Sequence, residues 1–378
     1  MHLGLNLLYL VPGRTGGREV YARELLRAMR AVRPDLRVTT FVNRETAAAG
    51  RGFWTDDADH AVLLPRVAVA RRATWAAGEV AILPRAAARA GVDVLHAPAN
   101  FVPPGGPFAR VVTLHDLMFR LHPALLTPAM RWGTEALLPL GARRAHRVVT
   151  GSHAARAEIV EQLGIAPARI AVVPHGIGAL QATGDAGAGR ALAGATDRPI
   201  ALAVGSHLPH KNMAAALAAV AAMAPAERPL LAVAGAGTDA PDMHARAREL
   251  GVEGDVRLLG GVCTGRLEDL YAAASVLVIT TRHEGFGLTV LEAMTRGVPV
   301  VCSDLPVLRE VAGDAALFAD PDAPEQVATA VLRVLAAGPG VARLRDGARA
   351  NAARFSWHAA AEGTLAAYED ALSERRSR

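Results

Sequence analysis

Two glutamates, Glu284 and Glu292, flank the turn Gly285-Phe286-Gly287 in the stretch HEGFGLTVLEAMTRGVPVV, residues 283–301. The apolar run Val276–Thr280 ahead of it predicts a strand. The pattern over Gly287–Arg296 predicts a helix that Gly297 ends. A strand–turn–helix leaves the first backbone N–H groups of the helix unpartnered at the positive end of its dipole, which suits a phosphate. Glycines there let a ligand approach the backbone closely. The amides of Phe286, Gly287, Leu288 and Thr289 are the candidates. Glu292 sits one turn inside the helix, about 6 Å along its axis from Leu288. That is the reach from a phosphate to its ribose, whose vicinal hydroxyls a carboxylate suits. Glu284 would stand on the other side, where hydroxyls of a transferred sugar would be.

A second cluster is Gly205-Ser206-His207-Leu208-Pro209-His210-Lys211-Asn212, directly after the predicted strand Ile200–Val204. Lys211 is the only lysine among 41 basic residues. A chain that uses arginine almost everywhere has kept one compact ammonium, at a predicted helix start where a diphosphate could receive its charge beside backbone amides. No Gly-Lys-Ser/Thr occurs, so this is not a P-loop. Gly16 and Gly17 open a helix after the first strand. Without an acid ending the strand Arg37–Val42, they do not form a dinucleotide fingerprint. His115-Asp116 follows the strand Arg110–Leu114 and could meet a substrate hydroxyl. Gly235-Ala236-Gly237, Ser152-His153 and Pro174-His175-Gly176 also follow strands. No metal constellation is present: His207 and His210 lie in one loop without a third matched ligand.

These segments need a scaffold that brings strand ends together. Further strands are predicted at Leu3–Leu10, Asp93–His96, Arg147–Thr150, Ile170–Val173, Leu230–Ala234, Val256–Leu259 and Val298–Cys302. Helices are predicted at Gly17–Val32, Val67–Ala90, Thr127–Ala145, Ser152–Leu163, Asn212–Met223, Ala240–Gly251, Arg266–Ala274, Val341–Arg354 and Trp357–Leu372. Such alternation implies parallel sheets flanked by helices. A length of 378 residues suggests two domains at roughly 150 residues each. The Gly/Ala-rich stretch Gly176–Arg198 reads as the linker between them. Two doubly wound domains in series imply a cleft, with ligands beyond the carboxyl ends of the strands.

Composition narrows the function. With 51% hydrophobic and 20% charged residues the chain can bury a large core, and general disorder is excluded. Residues 1–180 carry a formal charge of +9 and residues 181–378 one of −4, which suggests different partners for the two halves. Scattered arginines and 4% aromatics argue against nucleic acid. The two cysteines, Cys263 and Cys302, sit in apolar sequence surroundings. They predict neither a disulfide framework nor a cysteine zinc site, and fit a reducing compartment. The N-terminal MHLGLNLLYLVPG lacks a basic leader and reads as a buried strand. No stretch is apolar and long enough to span a bilayer.

Across nearly its whole length the chain resembles the retaining, nucleotide-sugar-dependent glycosyltransferases of family four (group 1), which have the GT-B fold. The match is most specific in VRLLGGVCTGRLEDLYAAASVLVITTRHEGFGLTVLEAMTRGVPVVCSDLPVLREVAGDAALF, residues 256–318. The resemblance implies two Rossmann-like domains: residues 1–178 for the acceptor and 179–356 for the donor, with a terminal helix of about 357–378 packing back on the first. It implies that Glu292 meets the ribose. Glu284 with the Phe286-Gly287-Leu288 amides meets the sugar and phosphates, Lys211 the diphosphate, and His115 the donor sugar. Gly16–Gly17 would be the family's N-terminal glycine loop. Ser206 departs from the pattern, since many members have an arginine there as a second diphosphate cation. His207, His210 and Arg282 are the substitutes within reach in sequence.

The Pro209-His210-Lys211-Asn212 subgroup includes mannosyl- and rhamnosyltransferases of surface polysaccharides, so GDP-mannose is the first expected donor, ahead of UDP- and dTDP-hexoses. The nucleotide sugar is then a substrate, and neither a cofactor nor a metal is expected. The acceptor is a hydroxyl compound. The basic N-terminal half is compatible with a lipid-linked or anionic acceptor and with peripheral contact at the inner face of the membrane of a cytoplasmic enzyme. A soluble natural product stays open as acceptor. The alternatives are a nucleotide-sugar 2-epimerase on the same plan and a non-catalytic two-lobed binding protein.

Overall fold

The computed structural model describes residues 1–121, 128–177, 184–195, 197–336 and 338–377. The chain forms two compact units, Met1–Gly178 with Phe355–Arg378, and Ala179–Arg354. Phe355 and Ser356, expected with the second domain, go with the first. There the Phe355 carbonyl accepts from the Ile177 N–H, and Gly176 leaves room for the backbone at Ser356–Trp357.

The first unit holds a parallel sheet of β1 (His2–Leu7), β2 (Arg37–Val42), β3 (His60–Leu63), β4 (Val94–Ala97), β5 (Ala109–Thr113), β6 (Arg147–Thr150) and β7 (Ile170–Val172), in the order β3-β2-β1-β4-β5-β6-β7. Its central strands β1 and β4 are buried at every position, His2, Asn6 and His96 included, because helices cover both faces. On one face the helices Gly17–Val32 and Trp357–Ser377 pack together. Tyr21, Leu25 and Met29 from the first and Trp357, Leu365 and Tyr368 from the second share a core with Leu3, Leu5 and Val111. The Tyr368 hydroxyl is hydrogen-bonded to His96 Nδ1 at 2.7 Å, and His96 Nε2 to Thr113 Oγ at 2.8 Å. On the other face lies a helical run that starts at Arg72 and not at the predicted Val67. Residue 67 is instead a buried core valine, against which Gly78 packs too closely for any side chain. This run contains a π-turn, Gly78–Ile82, which carries the buried Glu79. Asn6 Nδ2 donates to its carboxyl at 2.7 Å.

The second unit is a parallel sheet of β8 (Ile200–Val204), β9 (Leu230–Ala234), β10 (Val256–Gly260), β11 (Val276–Ile279), β12 (Val300–Ser303) and β13 (Leu317–Ala319), ordered β10-β9-β8-β11-β12-β13. β8 pairs with β11 through Ala201–Val276 and Leu202–Leu277. Strand order reverses there, as it does between β1 and β4, and such switch points are where doubly wound sheets bind ligands.

The predicted linker needs correcting. Residues 178–183 and 196 lie outside the described residues, as does Thr127 of the predicted helix Thr127–Ala145. Ala186–Ala193, however, is a helix, capped by Asp185, whose carboxylate accepts from the N–H groups of Gly187 and Ala188. Its glycines serve close packing rather than flexibility. A Cβ at Gly189 would lie 2.0 Å from the Asp269 carbonyl oxygen, and one at Gly184 would lie 2.1 Å from that of Glu268. This helix therefore lies directly on the helix Thr264–Ala273. Cys302 is buried in β12, whereas Cys263 is exposed, contrary to its apolar sequence setting. It stands at the start of helix Thr264–Ala273, where the chain turns at the surface.

Candidate functional site

Because β8 and β11 are neighbours, the loops that follow them meet. β8 runs into Gly205, whose φ of +156° only glycine adopts readily, and the Gly205 N–H donates to the Ala234 carbonyl at 2.9 Å. Gly235, after β9, has φ +149°, and a Cβ on it would stand 2.0 Å from the Gly205 oxygen. The two glycine loops thus touch backbone to backbone. Ser206 leads from there into the turn Pro209–Lys211, and Asn212 in the left-handed region (φ +49°) starts the helix Met213–Ala221. The loop after β11 is tied to this turn by three bonds. Thr280 Oγ donates to the Asn212 carbonyl at 2.9 Å, Thr281 Oγ to the His210 carbonyl at 2.9 Å, and the Arg282 N–H to the same carbonyl at 2.7 Å. Held this way, Lys211 Nζ donates to Glu284 Oε2 at 2.6 Å, with the side chains 23% and 16% exposed. They line a small cavity with Met213, Thr280, Thr281 and Thr289. An ammonium has three donors, so Lys211 can keep this bond and still meet a phosphate oxygen.

The Gly-Phe-Gly turn then aims the next helix. Gly287 has φ +100°, and a Cβ there would press on Leu308 at 2.8 Å. No side chain caps the helix Leu288–Thr295, so its leading amides remain open to an anion. Phe286 turns its ring into the core and offers only its backbone. Glu292 accepts from the Tyr271 hydroxyl at 2.9 Å through Oε2. Burial pushes its carboxyl up from the usual range, against the pull of Tyr271 and of the Arg296 guanidinium. Arg296 and Glu268 form a buried ion pair at 2.5 Å, 4% and 9% exposed.

The structure brings Lys211 to Glu284 and Gly205 to Gly235. Of the suggested substitutes for a second cation, His207 is bound to Asp242 at 2.7 Å and Arg282 to Asp322 at 2.6 Å, while His210 is buried. Tyr271, Glu268 and Arg296 went unread in the sequence. The spacing of Glu292 and Arg296, one helical turn apart, was the available signal. Among the described residues, no group of three or more His, Cys, Asp or Glu side chains is arranged to hold a metal ion.

Gly16, Gly17 and His115 belong to the first unit. Gly16 has φ +63° and precedes the helix begun by Gly17, after β1. His115, after β5, is held from several sides. Its backbone N–H donates to Asn100 Oδ1 at 2.9 Å. Its Nε2 donates to the Pro98 carbonyl at 2.7 Å, and its Nδ1 faces His175 Nε2 at 3.3 Å. The Tyr21 ring meets it edge-on at 4.7 Å. Burial lowers its pKa to about 4, so at neutral pH it is an uncharged imidazole with both nitrogens occupied. His175, predicted only as one of several post-strand residues, is its direct neighbour.

Two parallel α/β units, the second with a post-strand lysine–glutamate pair, define a protein of the doubly wound class. Residues 15–179 match the model of Glycosyltransferase Family 4, and residues 190–352 match that of Glycosyl transferases group 1. The chain belongs to the group 1 glycosyltransferases of GT-B fold. Among curated relatives, it is 35% identical over 248 residues to a D-inositol 3-phosphate glycosyltransferase of Acidothermus cellulolyticus. That alignment covers 62% of this chain and 55% of the relative. It is 42% identical over 117 residues to the O-antigen chain mannosyltransferase B of Escherichia coli, 31% of each chain. The chain thus spans about half the length of the first relative and under a third of the second. Among solved structures, the fold matches sucrose-phosphate synthase from Thermosynechococcus elongatus with a TM-score of 0.74 at 21% identity, over 99% of this chain and 100% of that one. It also matches Anabaena Alr3699/HepE in complex with UDP and glucose, with a TM-score of 0.72 at 18% identity over 97% and 98%.

Proposed function

We propose that this protein transfers a hexose from a nucleoside diphosphate sugar to an acceptor hydroxyl, with retention at the anomeric carbon. The observation that carries the reading is the Lys211–Glu284 pair, set beside the uncapped start of helix Leu288–Thr295 at the switch point of the second sheet. We assign the diphosphate to Lys211, the amides of Gly287, Leu288 and Thr289, and the Gly205–Ser206 and Gly235 loops. Glu284 takes the sugar hydroxyls and Glu292 the ribose. Gly16, Gly17 and His115 are assigned to donor sugar and acceptor on the family resemblance.

In the reaction the bond between the anomeric carbon and the phosphate oxygen breaks, and both electrons leave with the nucleoside diphosphate. Lys211 and the helix amides stabilise the negative charge that builds on that oxygen. The acceptor oxygen bonds to the anomeric carbon on the face the phosphate leaves, and its proton passes to a departing phosphate oxygen. No separate base is required, and the cation and dipoles can serve without a metal.

GDP-mannose is the first donor to test. The similarity to an O-antigen chain mannosyltransferase supports it, and the UDP complexes of a fold neighbour keep UDP-hexoses in view. The +9 charge of residues 1–180 supports an anionic acceptor, as does a relative named for D-inositol 3-phosphate. We place the enzyme in the cytoplasm, in peripheral contact with anionic lipid. No single helix among the described residues is long and apolar enough to cross a membrane. The test is a panel of GDP-, UDP- and dTDP-sugars read by thermal shift and by donor hydrolysis. A donor at ten or more times its dissociation constant raises the unfolding temperature. Donor conversion to an epimer without acceptor, or no response to any nucleotide, overturns the reading.

A further inference from the structure

We propose that Tyr271 is a positioning residue that presents Glu292 to a ribose diol, and so makes the site select ribonucleoside over 2′-deoxyribonucleoside diphosphates. This rests on the reading of Glu292 as the ribose ligand.

A carboxylate has two oxygens to place. Glu292 Oε2 is taken by the Tyr271 hydroxyl at 2.9 Å. Among the described residues no protein donor reaches Oε1, and that atom is not sealed in the interior. Tyr271 itself cannot shift easily. Its side chain is fully buried, and the Arg296 guanidinium lies over its ring at 4.8 Å. Arg296 is fixed in turn by Glu268, with Nε to Oε2 at 2.8 Å and Nη2 to Oε1 at 2.5 Å, and Nη1 donates to the Glu292 carbonyl at 2.5 Å. The residue is therefore gripped at both its main chain and its side chain.

Burying an ion pair of this kind costs desolvation that a pair of apolar residues would avoid, and such pairs serve best where they fix a register. Here the pair joins helix Thr264–Ala273 to the end of helix Leu288–Thr295, and the group whose place it settles is the Glu292 carboxylate. With one oxygen anchored, the other points outward with both lone pairs available, an arrangement that two adjacent hydroxyls can fill. A 2′-deoxyribose supplies one hydroxyl and leaves a half-buried acceptor unmet, which a site built for hydrogen bonding penalises.

The experiment measures binding of GDP, 2′-deoxy-GDP, UDP and 2′-deoxy-UDP to the full chain by calorimetry. It compares wild type, Tyr271→Phe and Glu292→Gln after their melting curves show folding. The wild type should prefer the ribo form by about tenfold. Tyr271→Phe keeps the ring beneath Arg296 and should cut that preference about fivefold, with the deoxy form bound as before. Equal weakening of both forms by Tyr271→Phe, while Glu292→Gln still abolishes the preference, makes Tyr271 structural and overturns the proposal alone. A preference that survives Glu292→Gln overturns the ribose reading and the proposal with it. A wild type that binds both forms equally overturns the proposal without any variant.

Discussion

Lys211 Nζ stands 2.6 Å from Glu284 Oε2 although 73 residues separate them in sequence. The contact exists because β8 and β11 are adjacent strands whose following loops are tied together by Thr280, Thr281 and Arg282.

If the ammonium stabilises the departing diphosphate, Lys211→Ala lowers kcat/KM by about 100-fold, the scale of losing one preorganised donor at a developing charge. Lys211→Arg restores little of it, since a planar fork does not fit the space of a point charge. Initial rates with the cognate donor check both. Near-wild-type rates for Lys211→Arg would show that any cation suffices.

Glu284→Gln keeps the shape of the side chain and removes its charge. Turnover should drop by about 100-fold, while donor affinity changes only a few-fold, because a group beside the transferring sugar acts mainly in the transition state. Equal losses in kcat and in donor binding place Glu284 away from the reacting sugar.

Glu79 gives a pH signature unrelated to catalysis. Burial raises its pKa to about 8, with Asn6 as its hydrogen-bonding partner. Between its ordinary pKa of 4.5 and about 8, the unfolded chain has lost this proton and the folded chain still holds it. Stability therefore falls as pH rises through that window, by about 1.4 kcal/mol per pH unit at most. Glu79→Gln removes the dependence. Its melting temperature should exceed that of wild type at pH 8 and approach it near pH 4.5. A wild-type advantage at pH 8 would mean that the carboxylate is paired.

Gly235→Ala tests the contact between the glycine loops. The added methyl meets the Gly205 carbonyl at 2.0 Å from a backbone at φ +149°. Unfolding of the second unit by urea should show a loss of about 3 kcal/mol, and nucleotide binding should weaken with it. An unchanged midpoint would mean that the two loops part at little cost.

Much of this site was legible because its residues follow runs such as Ile200–Val204 and Val276–Ile279, whose unbroken apolar character marks buried parallel strands. Which loops meet was not legible, since that depends on strand order. The edge strand His60–Leu63 escaped notice because it is only four residues long and its short apolar run, Ala61–Leu64, lacks the polar–apolar alternation of a half-buried strand, although three of the strand's four residues are exposed. Gly184 and Gly189 read as flexible linker because their packing partner, helix Thr264–Ala273, is distant in sequence. Tyr271 looked like any core aromatic, and only its hydroxyl, aimed at Glu292, sets it apart.

The hydrogen bond from Tyr368 to His96 has a consequence for biosynthesis. Translation delivers the strands of the first unit early, yet Trp357, Leu365 and Tyr368 are made after the whole second unit. Until they leave the ribosome, the nascent first unit shows an unsealed apolar flank, a state prone to aggregation. Maturation order therefore runs against chain order: the later unit is able to close first, and the earlier one is completed by a helix synthesised after it.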